Sequence, residues 1–273
     1  MASLQTVQKI GPVLDLFTSQ RPEWGVTEVA AAIEVPRSSA HALLASLVDI
    51  GLLQCRARGR YRLGWRIVEM SEALRSTVDV RSCAAPILER VVDDFGETTH
   101  LAIMERGNVL YVDKVIGTHN ITVQGARVGA RLDAHCTAVG KVLLAQFDKP
   151  ELANYLAKHP LRRLTPSTTT SPHALADALT TVRSSGFATD MGETVSEVHC
   201  VAAPVRDDLG SVVAAISLSV PATRFTARRH QLERAVVAAA HEVTRAVADA
   251  ADAEPSVSRD YPALQPVPDI RAS

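Results

Sequence analysis

The residues best suited to chemistry form two groups, and the first lies near the start of the chain. Six arginines stand between residues 36 and 66 against a single acid, Asp49, a local net charge of +5 in a chain whose total is −1. Such a segment can neutralise phosphates, whereas the balanced total excludes a cationic surface over the whole protein. The arginines are Arg37, Arg56, Arg58, Arg60, Arg62 and Arg66.

The second group combines hydroxyl side chains with a predicted helix start. Thr137 is a good N-cap, and Ala138 and Val139 would begin the helix that follows. Their small side chains would let a carboxylate reach the unpaired N–H groups of that turn. Ser217 and Ser219 lie two residues apart on a predicted strand, so both hydroxyls project from one face and can donate hydrogen bonds. These residues predict a site for a small organic acid.

Two other chemistries are open to the same region. His135-Cys136 and His199-Cys200, with Asp190, could supply imidazole, thiolate and carboxylate ligands to zinc. The same groups could form a Cys/His hydrolase, although the sequence identifies no oxyanion motif or orienting carboxylate. A lysine can act in catalysis, but the position of Lys141 on a predicted helix indicates a structural or solvated charge. Sequence-specific DNA binding would support a regulator, whereas turnover of a metabolite without DNA binding would support an enzyme.

The elements that position the basic group are three helices and a hairpin. Apolar residues recur at helical spacing in three stretches, and Pro36 separates the second helix from the third. After Gly51 two short extended runs surround a tight turn at Gly59. This order predicts a winged helix-turn-helix domain over residues 1–64. The helices are predicted over residues 5–19, from about 27 to 35 and over 37–49, and the strands over 52–55 and 60–63.

Polar side chains at the start of the third helix and in the hairpin are the candidates for contact with DNA. Those of the helix lie off its apolar stripe and suit phosphate contact and readout of base edges in the major groove. The hairpin, or wing, over residues 56–60 would reach the flanking backbone or the minor groove. The residues expected to contact DNA are Thr27, Arg37, Ser38, Ser39, His41, Arg58, Arg60 and Arg62.

Residues 65–80 predict a polar amphipathic linker helix, and mixed helices and strands predict an α+β ligand-binding domain over residues 81–251. The proline-rich residues 252–273 are predicted to be disordered. Helices are expected near residues 84–95, 138–147, 151–159, 173–185 and 226–251, and strands near 98–104, 109–115, 200–206 and 212–220.

Composition excludes several classes of protein. The longest apolar run, Val212–Val220, is far below the ~20 residues of a membrane helix. The first residues lack a secretory signal pattern, and the four cysteines include no C-x-x-C pair. We therefore expect a cytoplasmic protein with no membrane partner, no disulfide framework and no zinc knuckle.

Several segments resemble the IclR-type bacterial transcription regulators, in one order over about residues 5–250. In the first domain these are Val26–Ala30, Val35–Leu44, Ile50–Leu53 and Tyr61–Gly64. In the second they are His135–Ala145, Gly186–Asp190 and Cys200–Val205.

This resemblance implies a winged helix-turn-helix joined by a linker helix to a GAF-like α/β effector-binding domain. It implies a homodimer or a dimer of dimers that binds a double-stranded DNA operator and, as is usual in the family, has no enzymatic activity. We expect no cofactor and no metal. Ala42 stands where the family commonly has Arg, so the operator sequence does not transfer, and Glu197 replaces a common Gly. With Thr137, the effector contacts expected are Ala138, Val139, Asp190, Cys200, Ser217 and Ser219.

Overall fold

The chain divides into two compact units, Met1–Thr77 and Val78–Ser273. The computed structural model describes residues 4–75, 80–118 and 125–253 of the 273-residue chain. The predicted linker, residues 65–80, includes a described helix from Arg66 to Arg75, and residues 76–79 lie outside the described ranges. Residues 254–273 of the tail predicted to be disordered also lie outside them. The two units are therefore described separately.

The first unit contains the expected helices and hairpin. Its sheet is antiparallel with strand order β1-β3-β2, and β1 was not predicted because two residues are too few to show a periodicity. The winged helix-turn-helix fold is confirmed. The described elements are α1 (Gln5–Asp15), β1 (Trp24–Gly25), α2 (Val26–Ala32), α3 (Arg37–Asp49), β2 (Leu53–Arg56), β3 (Arg60–Leu63) and α4 (Arg66–Arg75).

The core of the first unit explains the orientation of α3. Leu44 and Leu47 are fully buried on the stripe that the helical spacing defines, and Val13 of α1 and Val29 of α2 pack in the same cluster. Burial of each such side chain contributes about 2 kcal/mol relative to exposure. Because this stripe faces the core, the opposite face of α3 is presented to solvent.

The second unit is built on a six-stranded antiparallel sheet with strand order β6-β5-β4-β9-β8-β7 over its described residues. Its elements are α5 (Val80–Phe95), β4 (Thr98–Glu105), β5 (Asn108–Val115), β6 (Arg131–Leu132), α6 (Ala138–Leu144), α7 (Lys149–Lys158), α8 (Pro172–Ser185), β7 (Ala188–Met191), β8 (Val198–Arg206), β9 (Val212–Pro221) and α9 (Ala222–Ala253). The α+β architecture predicted from the sequence is confirmed.

Helices cover both faces of this sheet. One face carries Ile216 and Leu218 of β9 and packs against α5 and α9, while the other carries Ala202 and Ala215 and packs against α6 and α8. Every residue from Ala214 to Val220 is buried, as expected for a strand covered on both sides. Among the described helices, none has the length and apolar character required to span a membrane.

Element boundaries differ from the sequence prediction in several places: α1 ends at Asp15 rather than near residue 19, α5 begins at Val80 rather than near residue 84, and β7, α9 and α6 also differ. Strand β7 was not predicted, since an edge strand of four residues gives little alternation. Helix α9 begins at Ala222, four residues before the predicted start, directly after Pro221 of β9. Helix α6 ends at Leu144 because Phe147 N–H bonds to the Leu144 carbonyl, a tighter turn than the α-helical one.

The turn between α2 and α3 contains a strained residue. Glu34 has φ of 52°, in the left-handed region, where a side chain costs about 1–2 kcal/mol. Two neighbours fix the turn: Val35 N–H donates to the Ala30 carbonyl at 3.0 Å, and Pro36 precedes α3. The helix-turn-helix geometry therefore requires this conformation from a residue poorly suited to it.

Glu34→Gly is expected to raise the free energy of unfolding by about 1 kcal/mol, because glycine adopts the left-handed conformation without strain. Both tryptophans, Trp24 and Trp65, lie in the first unit, so urea unfolding followed by tryptophan fluorescence reports on that unit. Glu34→Ala retains the Cβ and should leave the midpoint nearly unchanged. An equal gain with alanine would show that strain is not the cause.

Candidate functional site

The solvent face of α3 carries the side chains that sequence analysis selected. Arg37, Ser38, Ser39 and His41 are all exposed in the first turns of the helix, and Thr27 is exposed in the first turn of α2. The two helix starts thus present an arginine, hydroxyls and an imidazole to solvent without disturbing the core.

The β2–β3 hairpin ends in a tight turn that exposes cationic side chains. Arg58 and Gly59 both have positive φ, 61° and 67°, in the three-residue loop between the paired Arg56 and Arg60. Arg37, Arg56 and Arg58 are exposed and form no ion pair or side-chain hydrogen bond with any described residue. Of the six arginines in the basic segment, these three have guanidinium groups that no contact with a described residue holds.

Arg60, by contrast, is held within the domain. Its guanidinium binds the Glu28 carboxylate at 2.6 Å and the Glu23 carbonyl at 2.8 Å. Glu28 also accepts the Gly25 N–H at 2.7 Å and pairs with Arg21 at 2.6 Å. The Gly25 N–H, followed by the two guanidinium groups, lowers the pKa of Glu28. Arg60 therefore attaches the hairpin to the start of α2.

Two further arginines of the basic segment have partners within the first unit. Arg62 donates to the Gln54 side-chain oxygen at 3.1 Å and 3.3 Å across the hairpin. Arg66 donates to the Ile50 carbonyl at 2.6 Å. The local charge of +5 is therefore divided between groups that support the fold and groups that face solvent.

The second unit contains a small cavity between the start of α6 and the sheet. Its volume is about 20 Å³, enough for roughly one water molecule. All seven of the predicted effector residues line it, and so do four residues that were not predicted. The predicted ones are Thr137, Ala138, Val139, Asp190, Cys200, Ser217 and Ser219, and the others are Tyr111, Ala126, Leu132 and Thr194.

Local interactions fix the start of α6 at the cavity wall. The Thr137 hydroxyl accepts the Gly140 N–H at 3.1 Å and caps the helix. Any side chain on Gly140 would overlap the Ala134 backbone, so glycine is required here. Since α6 has only seven residues, individual N–H groups such as those of Ala138 and Val139 matter more for an anion than the helix dipole.

Strand register brings the opposite wall together. Cys200 pairs with Ser219 across β8 and β9, and Asp190 pairs with Cys200 across β7 and β8. Cross-strand partners share a face, and Ser217 shares it with Ser219 because the side chains alternate. The Cys200 Sγ and Ser219 Oγ atoms are 3.3 Å apart. Residues from three strands thus form one polar surface.

Asp190 gives this wall its unusual electrostatics. The carboxyl is 3% exposed and accepts the Glu193 N–H at 2.6 Å. Burial raises the pKa of Asp190 to about 6, and the Glu193 N–H, the Thr194 hydroxyl and the Lys141 charge oppose the shift. A carboxyl with this pKa can hold or release a proton near neutral pH.

Lys141 is buried beside this wall. Its ammonium pairs with Glu193 and also donates to the Thr189 carbonyl at 2.9 Å. The Thr168 hydroxyl in turn donates to the Glu193 carbonyl at 2.6 Å. Of the two readings offered by the sequence, a structural or a solvated charge, the structural one is correct.

The zinc and hydrolase alternatives find no support in the geometry. His199 packs against Phe225 of α9, with ring centroids 5.5 Å apart, on the face of β8 opposite to Cys200. His135 Nε2 lies 3.0 Å from the Arg162 carbonyl. Burial raises the pKa of Cys200, so this residue is a thiol at neutral pH. No group of three or more metal-ligating side chains occurs in the described ranges.

The four lining residues that were not predicted had weak signals in the sequence. Tyr111 lies on a predicted strand, and its side chain faces the cavity because it pairs with Ala102 across β4 and β5. Ala126 and Leu132 lie in a glycine-rich segment without periodicity. Thr194 reaches the wall because its hydroxyl donates to the Cys136 carbonyl at 2.9 Å. Of the four, only Tyr111 could have been selected from the sequence, by the alternation of side chains along β5.

Comparison with known families now decides the class of the protein. Residues 6–56 match the IclR helix-turn-helix domain, and residues 72–245 match the bacterial transcriptional regulator IclR C-terminal domain. The chain belongs to the IclR family. It is a DNA-binding transcriptional regulator with an effector-binding second domain.

Relatives of this IclR-family regulator resemble it over most of their length. The regulator XynR of Escherichia coli is 35% identical over 225 residues, 82% of this chain and 89% of XynR. An IclR homologue from Microbacterium hydrocarbonoxydans, solved in complex with 4-hydroxybenzoate, is 28% identical with a TM-score of 0.78, covering 89% of this chain and 99% of that one. The Thermotoga maritima IclR is 29% identical with a TM-score of 0.68, covering 90% and 99%.

Arg58→Ala and Arg60→Ala are expected to have different effects. Arg58→Ala should weaken binding to DNA and reduce its salt dependence by about one phosphate contact, with unchanged stability. Arg60→Ala should lower the urea midpoint of the first unit slightly and weaken DNA binding by releasing the hairpin, because it breaks the contacts with Glu28 and the Glu23 carbonyl.

The two variants are compared by urea unfolding with tryptophan fluorescence and by anisotropy of labelled DNA from upstream of the protein's own gene, at several salt concentrations. Equal losses of stability in both variants would show that Arg58 is also structural.

Proposed function

We propose that this IclR-family regulator reads its operator with α3 and the β2–β3 hairpin and responds to a small organic acid bound in the cavity beside α6. The observation that carries the proposal is that one cavity collects the seven residues that the sequence and its resemblance to the family had selected. A carboxylate is the group that its backbone N–H groups, hydroxyls and protonatable carboxyl accommodate together.

On the DNA side, α3 enters the major groove and the hairpin lies along the flanking backbone or minor groove. Ser38, Ser39 and His41 face the base edges, while Arg37 and Arg58 contact phosphates, with Thr27 at the adjoining helix start. Among the arginines of the hairpin, Arg60 and Arg62 act mainly by fixing its position, because their guanidinium groups already have partners.

On the effector side, the carboxylate accepts hydrogen bonds from the N–H groups of Ala138 and Val139 and from the hydroxyls of Ser217 and Ser219. The 4-hydroxybenzoate complex of the Microbacterium homologue, at 28% identity and a TM-score of 0.78, supports an organic acid as the ligand. The pathway that this acid belongs to is not encoded in the lining.

Effector binding has a structural consequence because the cavity is so small. A ligand of several heavy atoms needs far more than 20 Å³, so the lining must move when it enters. Binding then shifts the population between a closed and an open pocket. In this proposal the linker helix transmits the change. The reading domain spans residues 1–64, the linker spans residues 65–80 and the effector domain spans residues 81–251.

The regulator is proposed to act as a homodimer, or a dimer of dimers, in the cytoplasm and without enzymatic activity. Leu63, Trp65 and Val68 are exposed beside an apolar groove of about 440 Å³ in the first unit, which suits self-association. A dimer places two reading helices on successive major grooves. The buried Cys136 thiol and the half-buried Cys200 thiol both have raised pKa values, so neither is an activated nucleophile.

Arg37→Ala is expected to weaken operator binding at least tenfold without unfolding the first unit, because it removes a phosphate contact of an exposed side chain. The test is a gel-shift titration on DNA from upstream of the gene, with carboxylates added to the wild type. Unchanged affinity in the variant would remove Arg37 from the interface. A response to neutral or cationic metabolites alone would overturn the organic-acid effector.

Effector affinity is expected to rise as the pH falls from 8 to 6. A bound carboxylate beside Asp190 raises the pKa of Asp190 further above about 6, so binding takes up a proton and weakens by up to tenfold per pH unit above that value. Asp190→Asn mimics the protonated acid. It should bind at pH 8 at least as tightly as the wild type and lose most of the pH dependence.

Calorimetric titration of the full chain at pH 6, 7 and 8 checks this expectation, with circular dichroism confirming that the variant is folded. Wild-type affinity that does not change over this range would show that Asp190 does not share a proton with the ligand.

A further inference from the structure

Directly behind the cavity wall lies a histidine that the proposed contacts do not use. His100 on β4 is 1% exposed and pairs with Ser217 of β9, so its side chain is on the cavity face of the sheet. Its ring meets Tyr111 edge to face, with centroids 5.1 Å apart, and its Nδ1 lies 3.5 Å from the Ser219 hydroxyl. Three residues that line the cavity therefore surround it.

One nitrogen of this ring is unsatisfied. His100 Nε2 forms no hydrogen bond to any residue in the described ranges. The Ala126 carbonyl faces the ring closely enough to oppose the lowering of the pKa of His100, but it already accepts the Lys114 ammonium at 2.8 Å and does not satisfy Nε2. A buried polar atom without a partner is unfavourable and rare in native proteins, so it requires an explanation. A polar group of the bound effector can supply the hydrogen-bond partner that His100 Nε2 lacks.

The ring is neutral under physiological conditions. Burial, followed by the nearby Lys114 charge, lowers the pKa of His100 to about 3. A neutral imidazole offers one N–H donor and one acceptor. It therefore suits a hydroxyl or oxo oxygen and lacks the charge to compensate a second carboxylate.

Position and bonding capacity together identify a subsite. We propose that His100 is a specificity-determining residue of the effector pocket and that the effector is an acid with a second, uncharged oxygen, a hydroxyl or oxo group, bonded to His100. The carboxylate lies toward α6, and the second oxygen lies toward Ser219 and His100, which the pocket reaches when it opens. This inference rests on the proposed function, since it assumes that an organic acid occupies this cavity.

The test compares acids that differ by one hydroxyl. Calorimetry measures the binding of glycolate and acetate, of lactate and propionate, and of 4-hydroxybenzoate and benzoate to the full chain. In at least one pair the hydroxylated acid should bind the wild type about tenfold more tightly, the worth of one hydrogen bond. In His100→Phe, which keeps a ring but removes both nitrogens, the preference should fall below about threefold.

His199 is the matched control, because its buried Nδ1 is also without a described partner but its ring packs against Phe225 on the other face of the sheet. His199→Phe should retain the full preference. A preference that survives in His100→Phe, or is lost equally in His199→Phe, would overturn the subsite.

A second measurement needs no variant. In wild-type protein labelled with ¹⁵N-histidine, the hydroxylated acid should shift the Nε2 resonance of the non-titrating His100, and its deoxy partner should not. Equal shifts, or none, with an acid that binds would overturn the subsite while leaving the organic-acid effector intact. Failure of all six acids to bind would overturn both proposals.

Discussion

Alternation along β9 is the constraint on which the effector domain depends. The strand is covered by helices on both faces, so every second side chain must fit a different layer. Ile216 and Leu218 fill the layer against α5 and α9, and this forces Ser217 and Ser219 toward α6. A shift of one residue would place both hydroxyls in an apolar core and both apolar side chains in the pocket. Packing energy on one face therefore fixes the chemistry of the other.

A comparable constraint operates in the reading domain. The hairpin must stand at a defined angle to α3 if both are to contact one stretch of DNA, and a two-stranded ribbon is not stable alone. The contacts of Arg60 with Glu28 and with the Glu23 carbonyl, together with the pairing of β1 to β3, hold it against α2. An ion pair of this kind contributes little to global stability at an exposed position. Its importance lies in orientation.

The segment after β7 connects the pocket to the surrounding structure. Asp190 lines the cavity, Glu193 binds Lys141 from α6, and the Thr165 and Thr168 hydroxyls hold the carbonyls of residues 192 and 193. A ligand that moves Asp190 must also strain this network, because a buried ion pair is costly to separate. A cavity of about 20 Å³ surrounded by such bonds cannot admit a ligand of several heavy atoms unless its lining rearranges.

The sequence, with its resemblance to a known family, determined the class of the protein, both domain folds and the seven residues that line the cavity beside α6. It could do so because helical and strand periodicities are local, and because segments such as Val35–Leu44 and His135–Ala145 have a characteristic order. Only the tertiary structure decided which charges are free. Arg58 and Arg60 look equivalent in the sequence. The Glu28 carboxylate, which lies 32 positions before Arg60, binds Arg60, whereas Arg58 stays exposed. Partners of this kind are set by packing between distant segments, which no local pattern records.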